Sequence, residues 1–366
     1  MNDALFKPFE LGSLKTENRI VMAPMTRGLS PQNVPDENVV EYYRQRAAGG
    51  VGLIITEGTC INHKAANGYF NIPFIYGPSL EGWKKVVDAV HEEGGKIVPQ
   101  LWHVGGIRRP GTEPDPEVPG YGPSGMAKPG KVTGHAMTKE DIAEVVEAFA
   151  QAAVDAKEIG FDGVEVHGAH GYLVDQFFWE GTNQRDDEYG GSLENRSRFA
   201  IEIVKAIRAR VGEDFTIILR WSQWKQQDYT ARLVETPEEL TAFLKPLAEA
   251  GVDIFHCSTR RFWEPEFEGS DLNLAGWTKK ITGKPTITVG SVGLNHDFLP
   301  SDGTVEFSEA QPASIDHLIE RLEKDEFDLV AVGRAIIANP NWAELVKAGK
   351  IESAKAYEKH MLGKLV

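Results

Sequence analysis

Short apolar, β-branched runs recur eight times along the chain, and stretches with helical period fall between them. The runs occupy residues 19–23, 51–56, 96–102, 163–167, 215–220, 252–257, 285–289 and 329–332. Helical stretches cover 39–48, 80–93, 138–159, 193–211, 236–250, 314–324 and 340–348. Thr138 with Asp141 and Thr236 with Glu239 have capping-box spacing, in which hydroxyl and carboxylate satisfy free amides at a helix start. Strand–helix alternation with near-continuous apolar strands requires a parallel sheet covered by helices. An open doubly wound sheet is the rival, but no GxGxxG follows the first strand. The fold expected is therefore α/β, a (β/α)8 TIM barrel forming one domain over residues 1–366, since such barrels run to ~250 residues before insertions. Two stretches exceed a minimal barrel: a Gly/Pro-rich segment at 105–131 after the third strand, and 296–312 after the seventh. Long loops in a compact domain are usually functional or disordered, and the first falls on the side where barrels do chemistry.

A formal charge of −15 argues against nucleic acid or an anionic membrane as the main partner. Two cysteines, Cys60 and Cys257, lack CxxC neighbours and cannot build a disulfide framework, which fits a reducing cytoplasm. The opening MNDALFKPFELG has no basic, then apolar, secretory pattern, and no run approaches the ~18 apolar residues of a membrane span.

Barrels place chemistry at the C-terminal ends of their strands. Polar groups recur there: Pro24-Met25-Thr26, Glu57-Gly58, Gln100-Leu101-Trp102-His103, His167, Arg220, His256-Cys257-Ser258, Gly290-Ser291-Val292-Gly293 and Gly333-Arg334. His167 and His170, with Tyr172 two residues on, offer neutral donors and a weak acid of pKa about 10. That set suits gripping a carbonyl oxygen and protonating carbon. It is also compatible with a satisfied buried histidine pair or half a metal site, though no carboxylate recurs at helical spacing to complete one. In the last two units, glycine amides, a helix start and Arg334 suit a phosphate; the alternative is that Gly290 and Gly333 only make tight turns.

Five segments, in order and spanning nearly the whole chain, resemble the Old Yellow Enzyme family. They are 18–26 (NRIVMAPMT), 100–103 (QLWH), 167–172 (HGAHGY), 183–192 (NQRDDEYGGS) and 333–340 (GRAIIANP). The resemblance implies an FMN-dependent barrel enzyme that oxidises NADPH or NADH and reduces an activated alkene. It implies that Pro24, Met25 and Thr26 lie along the flavin, with Gln100 at its pyrimidine edge and Arg220 by N1 and the C2 carbonyl. There a fixed guanidinium would stabilise the anion made by two-electron reduction. Gly290, Ser291, Gly293, Gly333 and Arg334 would hold the phosphate; Glu57 and His167 complete the cofactor set. His167 and His170 would both donate to the substrate's carbonyl or nitro oxygen, and Tyr172 would protonate the α-carbon. Thr26, Tyr69, Trp102 and Trp263 would line the substrate pocket, and no metal is expected.

Thr26 resembles the branch with the yeast enzymes and oxophytodienoate reductases, whereas the other branch carries cysteine there. Departures from the pattern are Gly106 where arginine is common, Trp221-Ser222-Gln223-Trp224 after Arg220, Arg260-Arg261-Phe262-Trp263 after the sixth strand, and Ser291-Val292 for a second glycine. The first three bear on substrate shape. The expected activity is reduction of an α,β-unsaturated carbonyl or nitro compound by a ping-pong cycle, in a monomer or homodimer. The alternatives are an oxidative N-demethylase on the same barrel and a flavin-binding protein without turnover. A cationic amine would want carboxylates or an aromatic cage, and storage needs no proton donor.

Overall fold

The computed structural model describes residues 3–296 and 309–365, so most of the expected insertion at 296–312 lies outside the described residues. Eight parallel strands close into a barrel: β1 Ile20–Met22, β2 Leu53–Cys60, β3 Lys96–Trp102, β4 Gly163–His170, β5 Thr216–Lys225, β6 Ile254–Ser258, β7 Thr286–Val289 and β8 Leu329–Val332. Neighbours follow chain order, and β8 returns to β1 with Ala331 opposite Val21. Outside run α1 Glu37–Ala48, α2 Ser79–Glu92, α3 Lys139–Glu158, α4 Leu193–Val211, α5 Pro237–Ala250, α6 Leu274–Thr282 and α7 Asp316–Glu323. No described helix is long and apolar enough to cross a membrane. At α3, Thr138 and Asp141 make the expected reciprocal box. At α5, Thr236 accepts from Glu239 N, but the Glu239 carboxylate reaches past it to Glu235 N, so only half a box forms.

Period-two alternation decides what fills the barrel. Val21, Ala23, Leu53, Ile55, Val98, Ile218, Ile254, Ile287, Val289, Leu329 and Ala331 form one buried cluster. An antiparallel hairpin, Phe9–Leu11 with Leu14–Thr16, adds Phe9 and Leu14 to that cluster. Fully burying each such side chain contributes about 1.5–3 kcal/mol. Toward the C-terminal ends of β3 to β6 the buried series turns polar: Gln100, Glu165, His167, Arg220 and His256. Register sets Glu165 beside Gln100, His167 beside Arg220, and Arg220 beside His256. On β7, β8 and β1 the equivalent positions, Val289, Ala331 and Ala23, stay apolar. The barrel thus has an apolar lower interior and a top that is polar on one side only.

Three strands outrun their expected ends. β2 reaches Cys60, β4 reaches His170 and β5 reaches Lys225. The apolar pattern stops at the first polar side chain, but ladder hydrogen bonds do not read side chains, and pairing continues through bulges. One lies between Gly168 and His170, another between Ile55 and Gly58. The segment 105–131 is not bare loop either. It holds a turn at Gly105–Ile107 and two small pairings, Tyr121–Gly122 with His135–Ala136 and Met126–Lys128 with Lys131–Val132.

Candidate active site

A cavity of about 350 Å³ opens at the C-terminal ends of the strands. It is lined by Pro24, Met25, Thr26, Gln100, Trp102, His167, His170, Tyr172, Arg220, Gly290, Ser291, Gly333 and Arg334. Four other candidates stand elsewhere. Glu57 is buried, its carboxylate accepting from Arg27 N and Gly28 N, which turns it away from the cavity to hold the backbone after Thr26. Burial pushes that carboxyl up to about 7, against the two amides. Tyr69 stacks on Trp102 at 5.4 Å and meets the Tyr172 hydroxyl at 3.3 Å without lining the cavity. Gly293 faces the Trp342 ring. Trp263 is over a third exposed, sits edge-on to Phe262, and lines a separate groove beside α6 and α7. No residue of 105–131 lines the cavity among the described residues. That segment instead backs the helix Leu173–Phe178, with Gly106 N donating to Gln176 Oε1.

The histidine–tyrosine trio owes its geometry to the bulge. His170 has φ +64, an uncommon conformation for a non-glycine residue, and both its backbone groups are held. Its N–H donates to Ser222 Oγ, and its carbonyl accepts from Gln226 N and Nε2. The next amide, Gly171 N, donates to Asp175 Oδ2, while Asp175 Oδ1 accepts from Lys225 Nζ at 2.6 Å, both side chains fully buried. An ion pair under the loop therefore fixes the backbone between the two catalytic candidates. The rings of His167 and His170 are 5.3 Å apart and perpendicular, and Tyr172 lies 4.9 Å from His167. His167 Nδ1 accepts from Ala169 N, which leaves the proton on Nε2. His170 Nε2 sits 2.7 Å from Ser258 Oγ.

Burial, reinforced by the Arg220 charge, holds both imidazoles well below their ordinary 6.5, so both are neutral donors at pH 7. Burial and the neighbouring Tyr69 push the Tyr172 hydroxyl well above 10, which keeps its proton on. Gly58 makes room for the indole: a Cβ there would collide with the six-membered ring of Trp102. Trp102 then packs edge-on against Tyr172 at 4.9 Å.

Beneath the trio, Gln100 Nε2 donates to Glu165 Oε1, and Glu165 Oε2 meets His256 Nδ1 at 2.7 Å. Arg220 is buried and makes no hydrogen bond or ion pair with a described side chain or backbone group, and its Nε has no partner. Burial lowers its pKa, opposed by Glu165, yet a guanidinium stays charged. A buried cation without an anion is costly and points to a ligand that supplies one. At the far end, Gly290, Ser291 and Gly333 bring backbone to the cavity wall, with Arg334 nearby. At Gly333 a Cβ would meet Met25 Sδ at 3.5 Å and Ala23 Cβ at 4.0 Å, both ordinary contacts, so protein packing does not demand glycine. The space is kept on the cavity side.

Extension of β5 carries Trp224, one of the departures read as bearing on substrate shape, to the cavity, together with Gln226 and Tyr229, which the pattern did not reveal. Ser258, Thr259 and Arg260 join them from the end of β6. Trp221 is fully buried against Phe243 on α5, so of the two tryptophans after Arg220 only Trp224 shapes the cavity. Strict alternation from Arg220 would have found this, since 220, 222 and 224 share one face and 221 the other.

The chain matches the model of the NADH:flavin oxidoreductase / NADH oxidase family over residues 4–299. It is 37% identical over 365 residues to flavin oxidoreductase hxnT of Emericella nidulans, covering 95% of this chain and 91% of that one. It is 34% identical over 352 residues to 12-oxophytodienoate reductase 2 of Arabidopsis thaliana, covering 92% and 86%. The structure of morphinone reductase in complex with tetrahydroNAD superposes with a TM-score of 0.81 at 32% identity, covering 98% of this chain and 93% of that one.

Proposed function

Because the chain belongs to the NADH:flavin oxidoreductase / NADH oxidase family, an NAD(P)H-dependent flavin enzyme, we propose that it reduces the activated C=C bond of α,β-unsaturated carbonyl or nitro compounds. The flavin is FMN, and NADH or NADPH is the donor. One observation carries this reading: a buried, unpaired Arg220 shares a cavity with two neutral imidazoles and a protonated phenol. The residues present fit FMN, with Gln100 and Arg220 for its polar edge, Pro24 to Thr26 along the ring, and Gly290, Ser291, Gly333 and Arg334 for its phosphate. When bound, FMN would supply a two-electron carrier between nicotinamide and carbon.

The protein's own part is to polarise, position and protonate. His167 offers Nε2–H to the substrate oxygen, and the His170–Ser258 pair offers a second donor once that oxygen joins it. Two such donors aimed at one developing oxyanion supply about 3 kcal/mol each. They draw electrons from the β-carbon, which becomes the hydride acceptor, and Tyr172 gives its proton to the α-carbon. The balance is one hydride from the nicotinamide and one proton from solvent by way of Tyr172. Polarisation by neutral donors matches an uncharged carbonyl or nitro group becoming an anion. An N-methyl amine would present a cation to a cavity whose charged lining residues are Arg220, Arg260 and Arg334, with no carboxylate among the described ones.

Anaerobic titration tests this. The yellow protein should bleach with NADH or NADPH and regain colour with cyclohexenone or a nitroalkene. Bleaching by an N-methyl amine instead would favour the demethylase, and a protein that binds no FMN would end the proposal.

A further inference from the structure

Tyr172 can give its proton to carbon only once unless another group refills it. The phenol is 8% exposed and lines the cavity, so the ligand that takes its proton also covers it from that side. Two polar side chains meet its hydroxyl. The Gln226 amide hydrogen-bonds to it, which steadies a phenolate, but an amide has no acidic proton to hand over near neutral pH. Tyr69 Oη, 3.3 Å from Tyr172 Oη, is a phenol that can both give and take one. Tyr69 does not line the cavity, and its side chain is only half-buried, so it stands between Tyr172 and the outside. The guanidinium of the exposed Arg109 lies 5.1 Å over the Tyr69 ring, where a cation favours the electron-rich phenolate.

The surroundings hold this pair of phenols in place. Trp102 touches both, stacked on Tyr69 at 5.4 Å and edge-on to Tyr172 at 4.9 Å. Tyr69 N donates to Asn67 Oδ1 at 3.0 Å, and the buried Asn67 in turn donates through Nδ2 to the Glu113 carbonyl at 3.1 Å. Arg108 donates to the Asn67 carbonyl. At Gly68 a Cβ would press on Val104 and Arg108, so the turn before Tyr69 seats against the same stretch of chain. Glu113 and Arg108 belong to the segment 105–131, which lines no part of the cavity among the described residues. What that segment does hold is the loop that carries Tyr69.

We propose that Tyr69 is a proton relay that refills Tyr172 from solvent after each protonation of carbon. This rests on the alkene-reductase reading and deepens it. Tyr69 acts on the substrate only through Tyr172, so it is a positioning and proton-supplying residue. In one turnover the Tyr172 O–H bond breaks as the α-carbon–hydrogen bond forms. The Tyr69 proton then passes to the Tyr172 oxygen, and water returns a proton to Tyr69. No oxidant or reductant enters these transfers. A separation of 3.3 Å is long for a resting O–H···O contact, and it should tighten once Tyr172 carries charge, since charge-assisted bonds run about 2.5–2.7 Å.

The test compares the FMN-loaded natural protein with Tyr69→Phe in stopped flow, starting from reduced enzyme with cyclohexenone and excess NADH. Tyr69→Phe should reoxidise its flavin in the first turnover within about twofold of the natural rate, then fall about tenfold or more in kcat. The product trace should therefore show a burst of one equivalent per site, absent in the natural protein. Its kcat should rise as the pH is lowered from about 8 to about 6, while the natural enzyme's stays level. A phenol that merely props Tyr172 would slow the first turnover and kcat alike, and that result would overturn the relay. So would a kcat near the natural one with no burst. The preformed nitronate of 2-phenylnitroethane probes the same path without hydride transfer, read as loss of its ultraviolet absorbance on the oxidised, FMN-loaded protein. Repeated protonation should slow about tenfold in Tyr69→Phe, with the first equivalent still taken at the natural rate. That outcome in a protein that reduces no enone would uphold the relay and end the reductase reading. Enone reduction with nitronate protonation indifferent to Tyr69 would do the reverse.

Discussion

Replacing Arg220 with methionine should make the flavin-free protein more stable while nearly abolishing flavin binding. The guanidinium lies in the barrel interior with its Nε unpartnered and no anion bonded to it. An unpaired buried ion costs several kcal/mol, part of which the Glu165 charge recovers, so a shape-matched apolar side chain should return about 2 kcal/mol. For 366 residues, an unfolding entropy of roughly 2 cal/mol/K per residue turns that into a rise of about 2–3 °C in Tm. In the loaded protein the sign reverses. Two charge-assisted hydrogen bonds to the flavin edge, worth about 1.5–3 kcal/mol each, would be lost, weakening FMN by roughly 10²- to 10⁴-fold. The assays are thermal unfolding of the stripped protein and titration of FMN by fluorescence quenching. A stripped Arg220→Met protein that melts below the natural one, or that binds FMN equally well, would refute the claim that this cation waits for a ligand's anion.

Tyr172→Phe should leave flavin reduction by the nicotinamide intact and slow enone reoxidation by roughly 10²- to 10⁴-fold in stopped flow; equal loss of both would exclude the phenol as proton source. Acid should destabilise the fold through its buried imidazoles. His63, His103, His167, His170 and His256 are all held below 6.5, chiefly by burial, so their contribution is intact above pH 6.5 and is lost as pH falls. His63 alone, at about 4, accounts for about 2 kcal/mol of the loss between pH 7 and pH 5, which urea midpoints at those two pH values would reveal. Lys225→Met should cost about 3–5 kcal/mol by stranding Asp175, whereas the double change Lys225→Met with Asp175→Leu should recover most of it. Gly333→Ala should alter stability by under about 0.5 kcal/mol because its Cβ has room against the protein, yet weaken FMN measurably in an equilibrium titration.

The eight strand positions were legible because a barrel strand is buried on both faces and reads as an unbroken apolar run. The same reading cut β4 at His167 and β5 at Arg220, for at the mouth the buried side chains become polar while the ladder goes on. That error hid Gln226 and Tyr229, and it is why Lys225 gave no hint of its partner 50 residues earlier. α6 escaped notice because nine residues carry too few turns to show a period. Residue identity told that His167, His170 and Tyr172 belong together, but not that Ser258 touches one of them, since β6 reaches it only through closure of the sheet. Trp263 and Glu57 illustrate the opposite failing: suitable chemistry near a strand end, turned outward or backward by one step of the chain.

The hairpin at Phe9–Thr16 stoppers the base of the barrel with Phe9 and Leu14. With that end closed among the described residues, the cavity opens at the other, and on the proposed reading donor and acceptor would enter by the same way. Donor and acceptor then compete for one threshold, and each in excess should choke the other's turn.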